Sequence, residues 1–317
     1  MSAVAALFLI VLPVFLVVAA GYAAVRFRAY PDAGVDPLVK FATGIAVPVL
    51  LFRAIYQLDL GRVLEPALLA SFYTGALVSF AAGTLTARHL FGRRPGEAVA
   101  IGFCALFSNS VLIGLPIMNR AYGADALEPV FAIIAFHAPF CYLVGITTME
   151  FSRRDGVGFR ATVRRVGDEM LHNALTLGIL AGFAANLTGL VLPEPVLAAV
   201  DLIAAAGLPV ALFALGGVLT RYRLRAEVGE AAVASAFSTM LHPAVAWVLA
   251  TQVFALEPEF ARAAVVIAAM PTGVNGYIFA AMYNRAVGIA ASTVLLATAA
   301  SVFSITFWLW VIGSGAL

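Results

Sequence analysis

The chain has 317 residues, of which 63% are hydrophobic and 11% charged, with a mean hydropathy of +1.00; a water-soluble core cannot hide that much apolar surface, so lipid must be its solvent. A net charge of +2, with no basic run interleaved with aromatics, offers nothing to nucleic acid. Cys104 and Cys141 lie in separate apolar stretches with neither metal-ligand spacing nor a disulfide framework, so packing is their expected role and no metal or cofactor is expected.

A bilayer is crossed by ~20 apolar residues in a helix. Ten such stretches follow one another: Ala3–Val25, Pro37–Ile55, Leu64–Ala87, Ala98–Tyr122, Leu127–Phe151, His172–Leu192, Val196–Leu219, Glu230–Leu256, Phe260–Asn284 and Val287–Ile312. The first is followed, not preceded, by Arg26 and Arg28, which reads as a first span rather than a signal peptide. Pro48 in the second and Pro209 in the seventh free the carbonyls of Gly44 and Ala205, and are expected to curve their helices. The fourth carries Ser108-Asn109-Ser110 and Gly114-Leu115-Pro116 at its middle; the fifth carries His137 shortly before Pro139. The eighth carries His242 just before Pro243, and the ninth Met270-Pro271-Thr272-Gly273-Val274-Asn275-Gly276-Tyr277.

Positive residues cluster in alternate loops: Arg26, Arg28 and Lys40; Arg88, Arg93 and Arg94; Arg153, Arg154, Arg160, Arg164 and Arg165; Arg221, Arg223 and Arg225; Arg285. The intervening loops hold Arg53, Arg62, Arg120 and Arg262 among acids such as Glu194, Asp201, Glu257 and Glu259. Short basic loops stay cytoplasmic, so both termini are expected outside the cell membrane, the inner membrane if the source is bacterial.

Sliding the chain on itself by 161 residues sets Phe41–Phe52 over Leu202–Phe213, with Pro48 on Pro209 and Phe52 on Phe213. The same offset pairs Gly21 with Gly182, Tyr122 with Tyr283 and Ser110 with Pro271. Spans one to five thus map onto six to ten: a first repeat over 1–151, a cytoplasmic linker over 152–171 and a second repeat over 172–317. Five spans per repeat invert the second copy, an all-α architecture that many secondary transporters use because two similar halves can exchange conformations.

The unusual segments of spans four and nine are repeat partners. Pro116 removes the helical bond to the carbonyl of Leu112, and Pro271 the bond to that of Ile267. Backbone groups without helical partners are tolerated at membrane depth only inside protein or along a watery cavity. Crossed broken helices would direct half-helix N-termini at an anion. Ser108, Asn109, Ser110, Pro116, Pro271, Thr272 and Asn275 are therefore the candidate substrate site, against the plainer reading that both prolines only kink packed helices. His137 and His242 are candidates for a proton relay, against the plainer reading of neutral imidazoles bonded to neighbouring carbonyls. With no acid at the centre of any span, a paired-carboxylate ion site is not expected.

These segments resemble the auxin efflux carrier family, whose bacterial members include permeases for malonate and other carboxylates and whose plant members are the PIN auxin carriers. The resemblance spans essentially the whole chain. It rests on Asn109 through Gly123, which match the family's asparagine, Gly-x-Pro and Tyr-Gly pattern, on Met270 through Tyr277, and on Leu241-His242-Pro243. Ser110 stands where many relatives have threonine, and the central loop is far shorter than in the long plant carriers. The resemblance implies a fold like that of bile-acid sodium symporters, with spans one, two, six and seven as a scaffold, often dimeric, and spans three to five and eight to ten as a moving transport domain. It also implies a small organic anion, malonate-like or auxin-like, as substrate. An anion channel or a membrane receptor could use the same crossover; an enzyme is not expected, because no nucleophile with a base, zinc motif or acid pair converges at one depth.

Overall fold

The computed structural model describes residues 3–58, 61, 65–152, 164, 173–223 and 227–313. The linker expected over 152–171 lies outside the described residues, apart from Ser152 and Arg164. The described elements are helical, as apolar segments in lipid must be when each backbone N–H and C=O has to find its partner within the chain. In order they are α1 (Ala3–Arg26), α2 (Val35–Phe41), α3 (Val47–Tyr56), α4 (Pro66–His89), α5 (Pro95–Leu106), α6 (Leu115–Tyr122) and α7 (Glu128–Ser152). Then follow α8 (Ala174–Leu187), α9 (Glu194–Leu219), α10 (Val228–Ala236), α11 (His242–Val248), α12 (Pro258–Ala268), α13 (Val274–Tyr283) and α14 (Val287–Gly313). Among the described residues, seven stretches are long and apolar enough to cross a membrane: Val4–Arg26, Asp32–Tyr56, Pro66–His89, Asp125–Ser152, Glu194–Leu219, Val228–Val253 and Val287–Gly313. The expected fourth and ninth spans are each broken in two, and α8 is described over 14 residues.

Polar residues at the helix ends set boundaries that hydropathy alone misplaces. Glu65 accepts a bond from Ala67 N (3.2 Å) with Pro66 at the first helical position, so α4 begins there. Glu97 reaches back to Arg94 N (3.1 Å) and carries α5 forward to Pro95, three residues before the apolar run. Asn173 caps α8 through Leu175 N (2.9 Å) and Thr176 N (3.4 Å).

Three prolines share a local device. Pro48, Pro116 and Pro243 are each the second residue of a helix preceded by a π turn, Ala42–Ala46, Ser110–Gly114 and Phe237–Leu241. A wider turn moves the preceding carbonyls away from the ring that would otherwise crowd them. The carbonyl of Thr239, four residues before Pro243, is recovered by the indole N–H of Trp308 at 3.0 Å. Pro209, the repeat partner of Pro48, instead sits inside the unbroken α9.

The chain forms two compact units that cut across the sequence halves. The larger comprises Met1–Leu12, Glu65–Arg164 and Tyr222–Leu317, and the smaller Pro13–Leu64 and Arg165–Arg221. Within the smaller unit, glycines bring backbones into contact, the packing that replaces hydrophobic drive between helices in lipid. A methyl group on Gly21 would overlap the carbonyl of Phe213, and one on Gly182 would meet Phe52 O at 3.0 Å and Ile55 Cβ at 2.9 Å. The 161-residue offset turns the first contact into the second. Within the larger unit, Gly83 of α4 faces Gly102 of α5. In the same unit, the guanidinium of Arg93 donates from Nε to Glu230 Oε1 (3.0 Å), a bond that raises its pKa above the ordinary arginine value.

Candidate functional site

The two broken spans meet. The helix α5 stops at Leu106, and Phe107 is extended (φ −92°, ψ 100°). Similarly α12 stops at Ala268, five residues before the extended Gly273 (φ −77°, ψ 167°) that precedes α13. Ser108 and Thr272 pair there as an isolated antiparallel bridge. Asn109 N donates to Pro271 O (2.8 Å), and Gly273 N donates to Phe107 O (3.1 Å). Backbone groups stripped of helical partners thus satisfy one another across the crossing, so neither break leaves these groups bare at depth. Pro271 lies in the extended segment rather than inside a helix, and Ile267 O, the carbonyl a continuous helix would have freed, accepts from Met270 N at 3.3 Å. Pro116 lies one turn beyond the other break, buried at the start of α6.

Side chains divide into those that tie the crossing together and those that leave a donor over. The Ser108 and Ser110 hydroxyls are 2.9 Å apart, and Thr272 Oγ1 donates to Cys104 O at 2.6 Å. All three residues are buried. Asn109 is the N-cap of its π turn: its Oδ1 accepts from Leu112 N (3.3 Å), while its carbonyl accepts from Ile113 N (3.3 Å) and Gly114 N (3.1 Å). Asn275, half-buried in the first turn of α13, accepts through Oδ1 from the Tyr142 hydroxyl at 3.3 Å. In both asparagines the bonded atom is the amide oxygen, which leaves the NH2 group as the end still able to donate. Asn119, in the same span, is exposed near the end of α6.

The structure links one histidine to the crossing. His137 of α7 is buried with Nε2 3.1 Å from Ser108 O. A carbonyl only accepts, so the proton sits on Nε2, and Nδ1 faces the Cys141 thiol at 3.7 Å. His242 directs Nε2 at Phe72 O (3.1 Å), and its buried Nδ1 has no hydrogen-bond partner among the described residues. The Phe72 ring lies against both imidazoles, at 5.5 Å from His137 and 4.8 Å from His242.

Sequence reasoning missed Tyr142 and the aromatic layer around it. Phe103 and Phe279 stack at 3.9 Å and 11°, one from each broken span. A tyrosine in an apolar helix 133 residues from its partner leaves no local pattern to read.

Among the described residues, the segments that cross, 107–110 and 271–275, carry no charged side chain. Gly273 gives α13 no side-chain cap, and the first N–H groups of a helix have no carbonyl ahead of them, so this end carries partial positive charge. Among the described residues, no group of three His, Cys, Asp or Glu is placed to hold a metal.

A family model described as membrane transport protein matches residues 6–309. A protein of Rhizobium meliloti (strain 1021) named "Putative malonate transporter" is 27% identical over 313 residues, covering 97% of this chain and 96% of that one. Uncharacterized transporters of Methanocaldococcus jannaschii and Methanothermobacter thermautotrophicus are 22% and 24% identical, covering 96% and 94% of this chain and 98% and 96% of their own lengths. The matched family and these relatives are transporters rather than enzymes. The chain is a multi-pass membrane transporter, and it belongs to the membrane transport protein family that includes the auxin efflux carriers.

Proposed function

We propose that this protein is a secondary transporter that moves a small carboxylate by alternating access, with the crossing of the two broken spans as its binding site. The observation that carries this reading is the crossing itself: two interrupted helices bonded backbone to backbone at Asn109–Pro271 and Phe107–Gly273, with amide NH2 groups and a helix N-terminus left to donate. Donors without a formal charge suit an anion that must be released again, and malonate is the first candidate because a relative carries that name. Asn109 and Asn275 are the substrate-facing residues in this reading. Ser108, Ser110 and Thr272 hold the crossing, and Pro116 and Pro271 keep the helices interrupted. His137, bonded to Ser108 O, is the better placed of the two histidines to couple a proton to the site.

The architecture we assign is ten spans in two inverted repeats, similar to the bile-acid symporters. The exchanged glycine contacts Gly21–Phe213 and Gly182–Phe52 support it, as does the way both units draw helices from both sequence halves. The unit that contains the crossing is the moving part; the smaller unit is the scaffold and the homodimer surface. Both termini lie outside the cytoplasmic membrane, following the arginine asymmetry. Purified protein in liposomes, offered labelled acetate, malonate, succinate and indole-3-acetate, tests the function. Saturable uptake with counter-transport of at least one is expected; flux that neither saturates nor exchanges would make the crossing a channel lining instead.

A further inference from the structure

We infer that Tyr142 is a positioning residue that sets which end of the Asn275 amide meets the substrate, and thereby selects for anions. This rests on the crossing being the binding site. An asparagine side chain presents either an oxygen or an NH2 group to a ligand, and rotation by half a turn exchanges them with little steric consequence. An NH2 group favours a carboxylate; an oxygen repels it. A phenol hydroxyl is a better donor than acceptor, because its lone pair is delocalised into the ring, so the Tyr142 hydroxyl at 3.3 Å from Oδ1 favours the orientation that turns the amide oxygen toward it.

The phenol can impose an orientation because its own position is fixed. Its ring centroid lies 5.6 Å from Phe103, 5.9 Å from Phe107 and 6.4 Å from Phe279. Phe103 lies in the last turn before the break of one span and Phe107 at the break itself, while Phe279 lies one turn after Asn275 in the other, so the ring of α7 is held by both crossing spans. Gly145, three residues further along α7, admits the Phe103 and Phe279 rings where a side chain would exclude them: a Cβ there would stand 2.6 Å from Phe103 Cε2 and 3.0 Å from Phe279 Cε2. Asn109 needs no such partner, because its Oδ1 is fixed by its own turn at Leu112 N.

Tyr142→Phe removes the hydroxyl and keeps the ring. Equilibrium binding of the labelled carboxylate panel to the full-length purified chain should weaken by roughly two- to tenfold, the loss typical of one neutral hydrogen bond. Selectivity should fall as well: the wild type is expected to prefer malonate to malonamide more strongly than the variant does. The decisive arm is the double variant. In an Asn275→Ala background Tyr142→Phe should cause no further loss, because its effect passes through the amide. Wild-type affinity and selectivity in Tyr142→Phe, or additive losses in the double variant, would overturn the inference while the site stands. Unchanged binding in Asn275→Ala, or no binding of any panel member to the wild type, would instead overturn the site. Size-exclusion and melting profiles matching the wild type are expected of both single variants, and a Tyr142→Phe loss accompanied by a collapsed melting profile would assign Tyr142 a packing role.

Discussion

The two broken spans solve one problem in different ways. In the span of α5 and α6, the chain re-enters the helix through a π turn capped by its own Asn109, buried with only 7% of its surface exposed. In the span of α12 and α13, it re-enters through an extended Gly273 with no side-chain cap, and the nearby Asn275 is steered by a tyrosine from another helix. One side is self-contained; the other borrows its order. A residue that both caps and donates couples folding to binding, whereas a residue oriented from outside can change binding alone.

That asymmetry ranks the expected effects. Asn109→Ala should be the most damaging, because it removes a cap worth ~1 kcal/mol and a donor to the substrate together, lowering both the melting temperature and the affinity. Asn275→Ala should match its loss of affinity, roughly ten- to a hundredfold for a bond of ~1.5–3 kcal/mol to a charged group, while its melting temperature stays near that of the wild type. Equal destabilisation by the two would erase the distinction between the helices. Away from the crossing, Glu230→Gln should lower the melting temperature by weakening the Arg93 bond, with a cost of about 1–3 kcal/mol and little change in affinity. Thr272→Val, which keeps the shape but removes the donor to Cys104 O, should likewise destabilise more than it weakens binding. Asn119→Ala should do least of all, since its side chain is exposed beyond the end of the site.

Much of this was legible in the sequence, and the rest was not for identifiable reasons. Asparagine, glycine and proline concentrated at mid-span in Ser108–Pro116 and Met270–Tyr277 mark the breaks, because few other residues interrupt a helix in lipid. Hydropathy located α1, α4, α7, α9 and α14 to within a few residues but started the fourth and ninth spans late, since Pro95 and Pro258 open their helices ahead of the apolar run. The hydrogen-bond partners of Ser108, Ser110 and Thr272, placed in the candidate substrate site by the sequence, could not be read, because a hydroxyl serves a ligand or a neighbouring carbonyl equally well. Nor could Pro48 and Pro209 be told apart: matched in the repeat, one follows a π turn and the other lies in a continuous helix. Tyr142 gave no signal, being a single polar tip whose partner lies in the other repeat.

Binding of the transported anion at the crossing would show itself in equilibrium binding of a labelled carboxylate to purified Asn275→Ala beside Asn119→Ala. A loss of roughly ten- to a hundredfold is expected for the first and wild-type affinity for the second, with both proteins melting as the wild type does. Wild-type binding by Asn275→Ala, or an equal loss in Asn119→Ala, would contradict it and move the site elsewhere.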